Sequence, residues 1–531
     1  MSVSSEPPAR ARASCFHCRN SKRRCDKTLP KCHLCSRKSI ECRYPRRRGQ
    51  RSASPDGSPN NRDDTAATAT SSTTTLRQDN GPEFSAELVT TTAIRFLAPD
   101  LFRDLRLQVP RMDWDIPEEV AFHLGDRQQM QQTTSEFLRL TQSWMPVVSG
   151  KRHLAAVLNP LQLPLRRPTA LLALCMKLCC LPADNSQGRR SLYLLVKRLY
   201  VEAERMEDAC LEVMQSAIFI AIFEIGDAMF SAAYLTVGAL ARYGMAMGMD
   251  KINRDALGSK VGVTVGASWS DIEEMRRVWW ATLVLDRFLN FSQPSRSLVT
   301  ADPSFEDFLP VDDECFHNQK STPENATRIS EGFHFEMGSF ARLCQGTHLV
   351  SKALALCRVT PGSNGEASIS DDMVQLCRTL EALVRVNEIE ATTRKLAYCS
   401  QSIISYIGIL VLQQHHWQHG NPAMGDHIFP ETESALDTLE RISTTLRQGG
   451  SYSCNSIEGG HCSLFFVELV YRGMLVLITM SQRRPTPEVQ SKKESMKWLL
   501  SHIQKRWPLV AVYGRILEAR EMMLAVEAAS I

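Results

Sequence analysis

The sequence predicts a mostly α-helical protein in three parts: a small cysteine-rich head, a flexible linker, and a large all-α body. Three observations carry this expectation. Six of the seventeen cysteines fall within residues 15–42. A stretch rich in Ser, Thr, Pro, Asn and Asp follows, including "TAATATSSTTT", with almost nothing apolar to offset its ordering entropy. From about residue 85 onward apolar residues recur at three and four spacing, with few alternating runs. The divisions read from these shifts are 1–48, 49–85 and 86–531.

The head is distinguished first by charge. Residues 1–51 hold fifteen Lys or Arg against Glu6, Asp26 and Glu41, a net charge of +12. The whole chain is +4, so the remainder carries −8. A small basic head on a mildly acidic body points to a polyanionic partner for the head alone. The N-terminus lacks the apolar stretch of a secretory signal, and nowhere do eighteen apolar residues run uninterrupted, so the expectation is an intracellular protein with no membrane partner. In a reducing compartment, clustered cysteines read as metal ligands rather than disulfides.

Their spacing is C-x2-C-x6-C-x6-C-x2-C-x6-C, and a shift of seventeen residues carries Cys15, Cys18 and Cys25 onto Cys32, Cys35 and Cys42. Each half supplies three thiolates, whereas a closed structural zinc takes four. Two zinc ions then need more ligand positions than six sulfurs fill, so two sulfurs must bridge. The symmetric choice is the leading cysteine of each half, Cys15 and Cys32. A segment this short lacks the apolar residues for a core, so the metal must supply the stability. His17 and His33 break the symmetry of the halves and are not needed as ligands.

The halves differ as surfaces. "RNSKRR" (19–24) is strongly basic, whereas "SRKSIE" (36–41) is nearly balanced. If a short helix continues from Cys18, then Arg19, Lys22 and Arg23 fall within an arc of roughly 100° while Arg24 falls elsewhere. The first half is therefore expected to face the polyanion, its helix N-terminus available to a groove or a phosphate. Arg43, Arg46, Arg47 and Arg48 are expected to track phosphates.

With this spacing the segment resembles the fungal zinc binuclear cluster DNA-binding domain throughout. The resemblance implies two zinc ions, Cys15 and Cys32 as bridging ligands, and Pro30 as a turning proline. It also implies that Lys22 contacts bases of a CGG-like triplet in double-stranded DNA; the preceding position, often basic in relatives, is Ser21 here. Residues 235–310 are similar, more loosely, to the middle homology region of fungal transcription factors. The residues carrying that likeness are "TVGALARYGMAMGMDK", "EEMRRVWWATLVLDRFLNF" and Leu309-Pro310, with "EFLRLTQSWMPVV" and "RPTALLALCMKLCC" upstream. Where relatives carry "GRP", this chain has Phe291-Ser292-Gln293-Pro294-Ser295-Arg296.

Together these resemblances imply a nuclear, sequence-specific transcription factor for RNA polymerase II genes. It would serve a metabolic or biosynthetic gene cluster, with the transcriptional machinery or a co-regulator, a small-molecule effector and a second copy of the chain as further partners. A coiled coil is not predicted, because residues 43–82 contain no heptads and the later apolar series is interrupted by Pro99. The alternative reading is a ligand-sensing helical repressor module with only weak DNA binding. No H-E-x-x-H, G-x-S-x-G, Walker glycine loop or G-x-G-x-x-G occurs, and a non-enzyme is expected.

Within the body, Ser270-Asp271-Ile272-Glu273 reads as a capping box opening the helix that carries Trp279 and Trp280. Arg276, Arg277 and Asp286 suit either a buried ionic network around those tryptophans or surface pairs. Cys175, Cys179 and Cys180 read as small packing residues.

Overall fold

The structure, a computed structural model, describes residues 11, 13–21, 23–38, 40, 42–44, 86–107, 109, 116–159, 165–205, 210–255, 267–331, 337–358, 366–394, 400–419, 427–449 and 462–529. The chain falls into two units, Met1–Gly81 and Pro82–Ile531. The expected linker 49–85 lies outside the described residues.

The first unit contains two five-residue helices, Phe16–Asn20 and His33–Arg37. Its buried centre is Cys15, Cys18, Cys32 and Cys35, with Cys25, Cys42, Leu34 and Tyr44 packed around them. Two non-cysteine apolar side chains cannot sustain a core.

In the second unit the described residues form helices and loops, with no strand and a single isolated bridge between Phe308 and Arg328. The helices Arg127–Thr141, Arg167–Cys180, Ser186–Arg205, Leu211–Gly226 and Phe230–Ala246 pack against one another. So do Ser339–Arg358, Ser400–His419, Leu464–Arg483 and Pro487–Ile503 farther along the chain. Trp269–Phe288 packs on members of both groups, and one continuous apolar core runs through the unit.

The apolar stretch 216–249 is not one helix. It breaks after Gly226, where Asp227 caps and Ala228 adopts a left-handed φ of 59°. Three glycines in the following segment have three roles. A Cβ at Gly244 would meet the Trp279 ring at 2.8 Å, so close helix approach requires glycine there. Gly248, at φ 76°, supplies the left-handed cap, while Gly238 faces open space. Leu464–Arg483 is long and apolar enough to cross a membrane, but it is largely buried within the bundle and its Glu468 and Arg472 pair at 2.7 Å, as a core helix requires.

From Arg276 to Phe291 every residue of the tryptophan helix and its C-terminal turn is buried. A helix buried on all sides must satisfy its charges internally. Arg277 bonds Glu273 at 2.9 Å, Asp313 at 2.8 Å and the Val311 carbonyl at 2.6 Å, and its guanidinium lies 4.1 Å from the Phe316 ring centroid. Arg276 pairs with Glu273 at 3.3 Å. Asp286 takes a different partner set, accepting from the Val299 and Thr300 backbone N–H groups and pairing with Arg287. Of the two arrangements open to these residues, the buried one is found. Trp280 donates to the Phe308 carbonyl at 3.0 Å, which ties the loop after the helix to its face. Cys175 and Cys179 are buried in the apolar core, and burial pushes both thiols up, Cys179 to about 11.

Candidate metal centre and nucleic-acid interface

The local geometry of the head follows from two cysteines used as helix caps. Cys15 and Cys32 are both extended, at φ, ψ of −63°, 156° and −68°, 152°. Each Sγ accepts from the backbone N–H three residues on, Cys18 at 3.5 Å and Cys35 at 3.4 Å. The seventeen-residue repeat extends to the backbone. Arg23 N–H reaches the Cys18 carbonyl and Ile40 N–H reaches the Cys35 carbonyl, at 2.9 and 3.0 Å. Each short helix thus turns its paired cysteines inward.

The turns bring the sulfurs together at a characteristic spacing. Cys15 Sγ lies 3.7 Å from both Cys32 and Cys35 and 3.9 Å from Cys25, and Cys18 Sγ lies 3.6 Å from Cys32 and 4.0 Å from Cys35. These separations are about twice a disulfide bond. They match the edge of a tetrahedron with a zinc–sulfur distance of roughly 2.3 Å, which is about 3.8 Å. Cys42 Sγ packs against this group and accepts from Cys32 N–H at 3.3 Å. The donor set therefore fits thiolate-bound zinc.

Electrostatics explain why the sulfurs need a cation. Burial pushes the thiols of Cys15, Cys18 and Cys35 up, Cys35 to about 12. At Cys25 and Cys42 burial acts the same way but is outweighed by hydrogen bonds, largely from backbone N–H groups, leaving both below the ordinary thiol value. Divalent metal stabilises all of them as thiolates and releases their protons.

The halves are held together by two unlike clasps at equivalent positions. Thr28 donates to the Asp26 carboxylate at 2.6 Å and His33 N–H donates to it at 3.0 Å, which together hold Asp26 below the usual carboxylate range. Its counterpart Arg43 instead uses its backbone carbonyl, accepting from Phe16 N–H at 2.9 Å. Tyr44 donates to the Thr28 carbonyl at 2.7 Å, closing the unit next to the cis Leu29–Pro30 peptide. Neither Asp26 nor Tyr44 stands out by residue type, and the seventeen-residue repeat sets them opposite Arg43 and Lys27, so no linear signal marks them.

Two expectations about the surface change. The first helix stops at Asn20, with Ser21 as its cap, so Arg23 lies beyond it and the arc expected of a longer helix does not apply. At the N-terminus of that helix two donors are also taken, Phe16 N–H by the Arg43 carbonyl and Cys18 N–H by Cys15 Sγ, so it offers a phosphate less than expected. Arg19, Arg23, Arg24 and Arg43 are exposed. Lys22, Arg46, Arg47 and Arg48 lie outside the described residues.

A fold of this kind, a metal-dependent basic head with a separate helical body, defines a class of zinc-cluster DNA-binding regulators. Residues 13–51 match the fungal Zn(2)-Cys(6) binuclear cluster domain, and residues 166–399 match the fungal specific transcription factor domain. The chain is 34% identical over 162 residues to transcription factor BOA15 of Botryotinia fuckeliana (strain B05.10), covering 30% of this chain and 84% of that relative. No solved structure matches. The chain belongs to the fungal Zn(2)-Cys(6) transcription factors, and its cluster domain binds two zinc ions.

Proposed function

We propose that the protein is a nuclear, sequence-specific regulator of RNA polymerase II genes that reads CGG-like triplets in double-stranded DNA and controls a metabolic or biosynthetic gene cluster. Cys15, Cys18, Cys25, Cys32, Cys35 and Cys42 hold the two zinc ions, with Cys15 and Cys32 shared between them. The observation that carries the reading is the 3.7 Å approach of the Cys15 and Cys32 sulfurs at the centre of a strongly basic segment. Two shared thiolates make the two halves one rigid body, and a rigid body is what positions a side chain against a base edge.

Six thiolates around two divalent ions leave a small net negative charge, which the surrounding Lys and Arg outweigh. In this reading the first half carries recognition. Lys22 reaches base edges, while Arg19, Arg23, Arg24, Arg43, Arg46, Arg47 and Arg48 contact phosphates or flank the triplet. Base contacts specify and phosphate contacts position, so the two sets respond differently to substitution. The Lys22→Ala variant is expected to lose about 1–3 kcal/mol on a CGG site and little on a scrambled one. Arg47→Ala is expected to weaken both sequences alike and lower the salt slope by about one. Binding titrations across salt concentrations measure this, and equal losses for both variants on both sequences overturn the assignment.

A further inference from the structure

The helical body is acidic as a whole, yet it contains one cleft of the opposite character. Between the helices Ser400–His419, Leu464–Arg483 and Leu509–Ala529 lies a space of about 920 Å3. Arg472, Arg483, Arg515 and Arg520 line it, and among the described residues no Asp or Glu does. Trp417 and Tyr471 add aromatic surface. The volume falls within the range of small-molecule sites, roughly 300–1,000 Å3.

The deepest cation is built in rather than incidental. Arg472 is buried, its guanidinium fixed by Glu468 at 2.7 Å, Gln414 at 2.8 Å and Ser292 at 2.9 Å. Glu468, the acid that neutralises it, is also bonded by the Tyr513 hydroxyl at 2.5 Å and does not face the cleft. Tyr471 is held flat by stacking on Tyr513, with ring centroids 3.8 Å apart. Arg483 lies over the Trp417 ring at 5.2 Å. Arg515 and Arg520 are exposed and make no ion pair among the described residues.

Arginines converging on a partly apolar space, beside rings held in fixed planes, match a ligand with an anionic group and a flat ring system. We infer that this cleft is a binding site for a small organic anion, a carboxylate, sulfonate or phosphate ester carrying an aromatic or alicyclic body. A polyacidic segment of another protein would use the charges but not the recess between three helices or the ordered rings.

The full-length protein is titrated with 8-anilinonaphthalene-1-sulfonate and, in parallel, with neutral N-phenyl-1-naphthylamine, which has the same rings without the sulfonate. The sulfonate is expected to bind with a single-site fluorescence rise, and the neutral amine to bind much more weakly. The double variant Arg515→Gln/Arg520→Gln should bind the sulfonate about tenfold more weakly, as the loss of two exposed ion pairs implies. Both residues lie at the rim, outside any ion pair among the described residues, so the variant's circular dichroism should match the parent. Unchanged sulfonate affinity in the folded variant, or equal binding of the neutral amine, overturns the inference. Displacement of the probe by a polyglutamate peptide at lower concentration than by 1-naphthalenesulfonate also overturns it, reassigning the cleft to an acidic peptide. None of these readouts involves DNA, so failure here is distinct from failure of the CGG assignment.

Discussion

The two units solve the same problem, holding a chain in one shape, with opposite means. The body buries apolar side chains by the score and fits its few charges into closed networks. The head buries sulfur, and its two non-cysteine apolar neighbours, Leu34 and Tyr44, only fringe it. The difference teaches where conditional stability lies. A hydrophobic core is present whenever the chain is in water, whereas a thiolate core exists only while metal is bound. The part that meets DNA is the part whose folding depends on a second component.

Zinc removal breaks this comparison most strongly if it is wrong. Structural zinc contributes on the order of 10–16 kcal/mol, as much as the whole net stability of a typical domain. Excess chelator is therefore expected to abolish DNA binding completely while leaving the helical circular dichroism and the melting transition of the body unchanged. The two head helices are only five residues each, so their loss is nearly invisible in that signal. A body that melts along with the head would show that the units are not independent in stability.

The next test is aimed at the body. Arg277 is fully buried, and although burial opposes its charge, Asp313 and Glu273 outweigh it and favour the charged form. Arg277→Ala takes the arginine from Asp313 and leaves Glu273 to Arg276, and should cost about 3–5 kcal/mol, seen as a lowered denaturant midpoint. Zinc content, measured by metal analysis, should stay at two ions per chain. Replacing the pair together, Arg277→Met with Glu273→Leu, should cost at least as much as the single change, because Arg276 then loses Glu273 while Asp313 still loses Arg277.

Much of the head is legible in the sequence because its ligands are chemically unmistakable and their repeat is a linear property of the chain. What escapes are features set by partners distant in sequence. Asp26 is one acid among bases until the folded unit shows it capping His33 across the Pro30 turn. Helical periodicity alone carries the first helix on to Arg23, but the chain leaves it at Ser21 to bring Cys25 back toward Cys15, 3.9 Å away. The arginine cleft is not legible at all. Its lining comes from three helices well separated along the chain, and each of its arginines alone looks like a solvated surface charge.

The smallest predicted effect concerns the start of the tryptophan helix, where a local motif and the global core compete for the same residues. The chain offers two overlapping boxes, Ser268 with Asp271 and Ser270 with Glu273. The first is used: Ser268 Oγ accepts from Asp271 N–H at 3.3 Å, and the Asp271 carboxylate accepts from Ser268 N–H at 2.7 Å. Ser270 falls inside the helix, and Glu273 is withdrawn into the core to meet Arg277 and the Val311 N–H. Glu273 could serve as a cap only at an exposed helix end, and a buried Arg277 without it would lose a principal counter-charge, a penalty several times the value of a cap. The buried ion pair, not the cap, decides the register. Ser268→Ala should therefore destabilise the body by about 1 kcal/mol, while Ser270→Ala should change it by less than about 0.5 kcal/mol. Paired denaturant curves check both, and the reverse order would place the helix start two residues later.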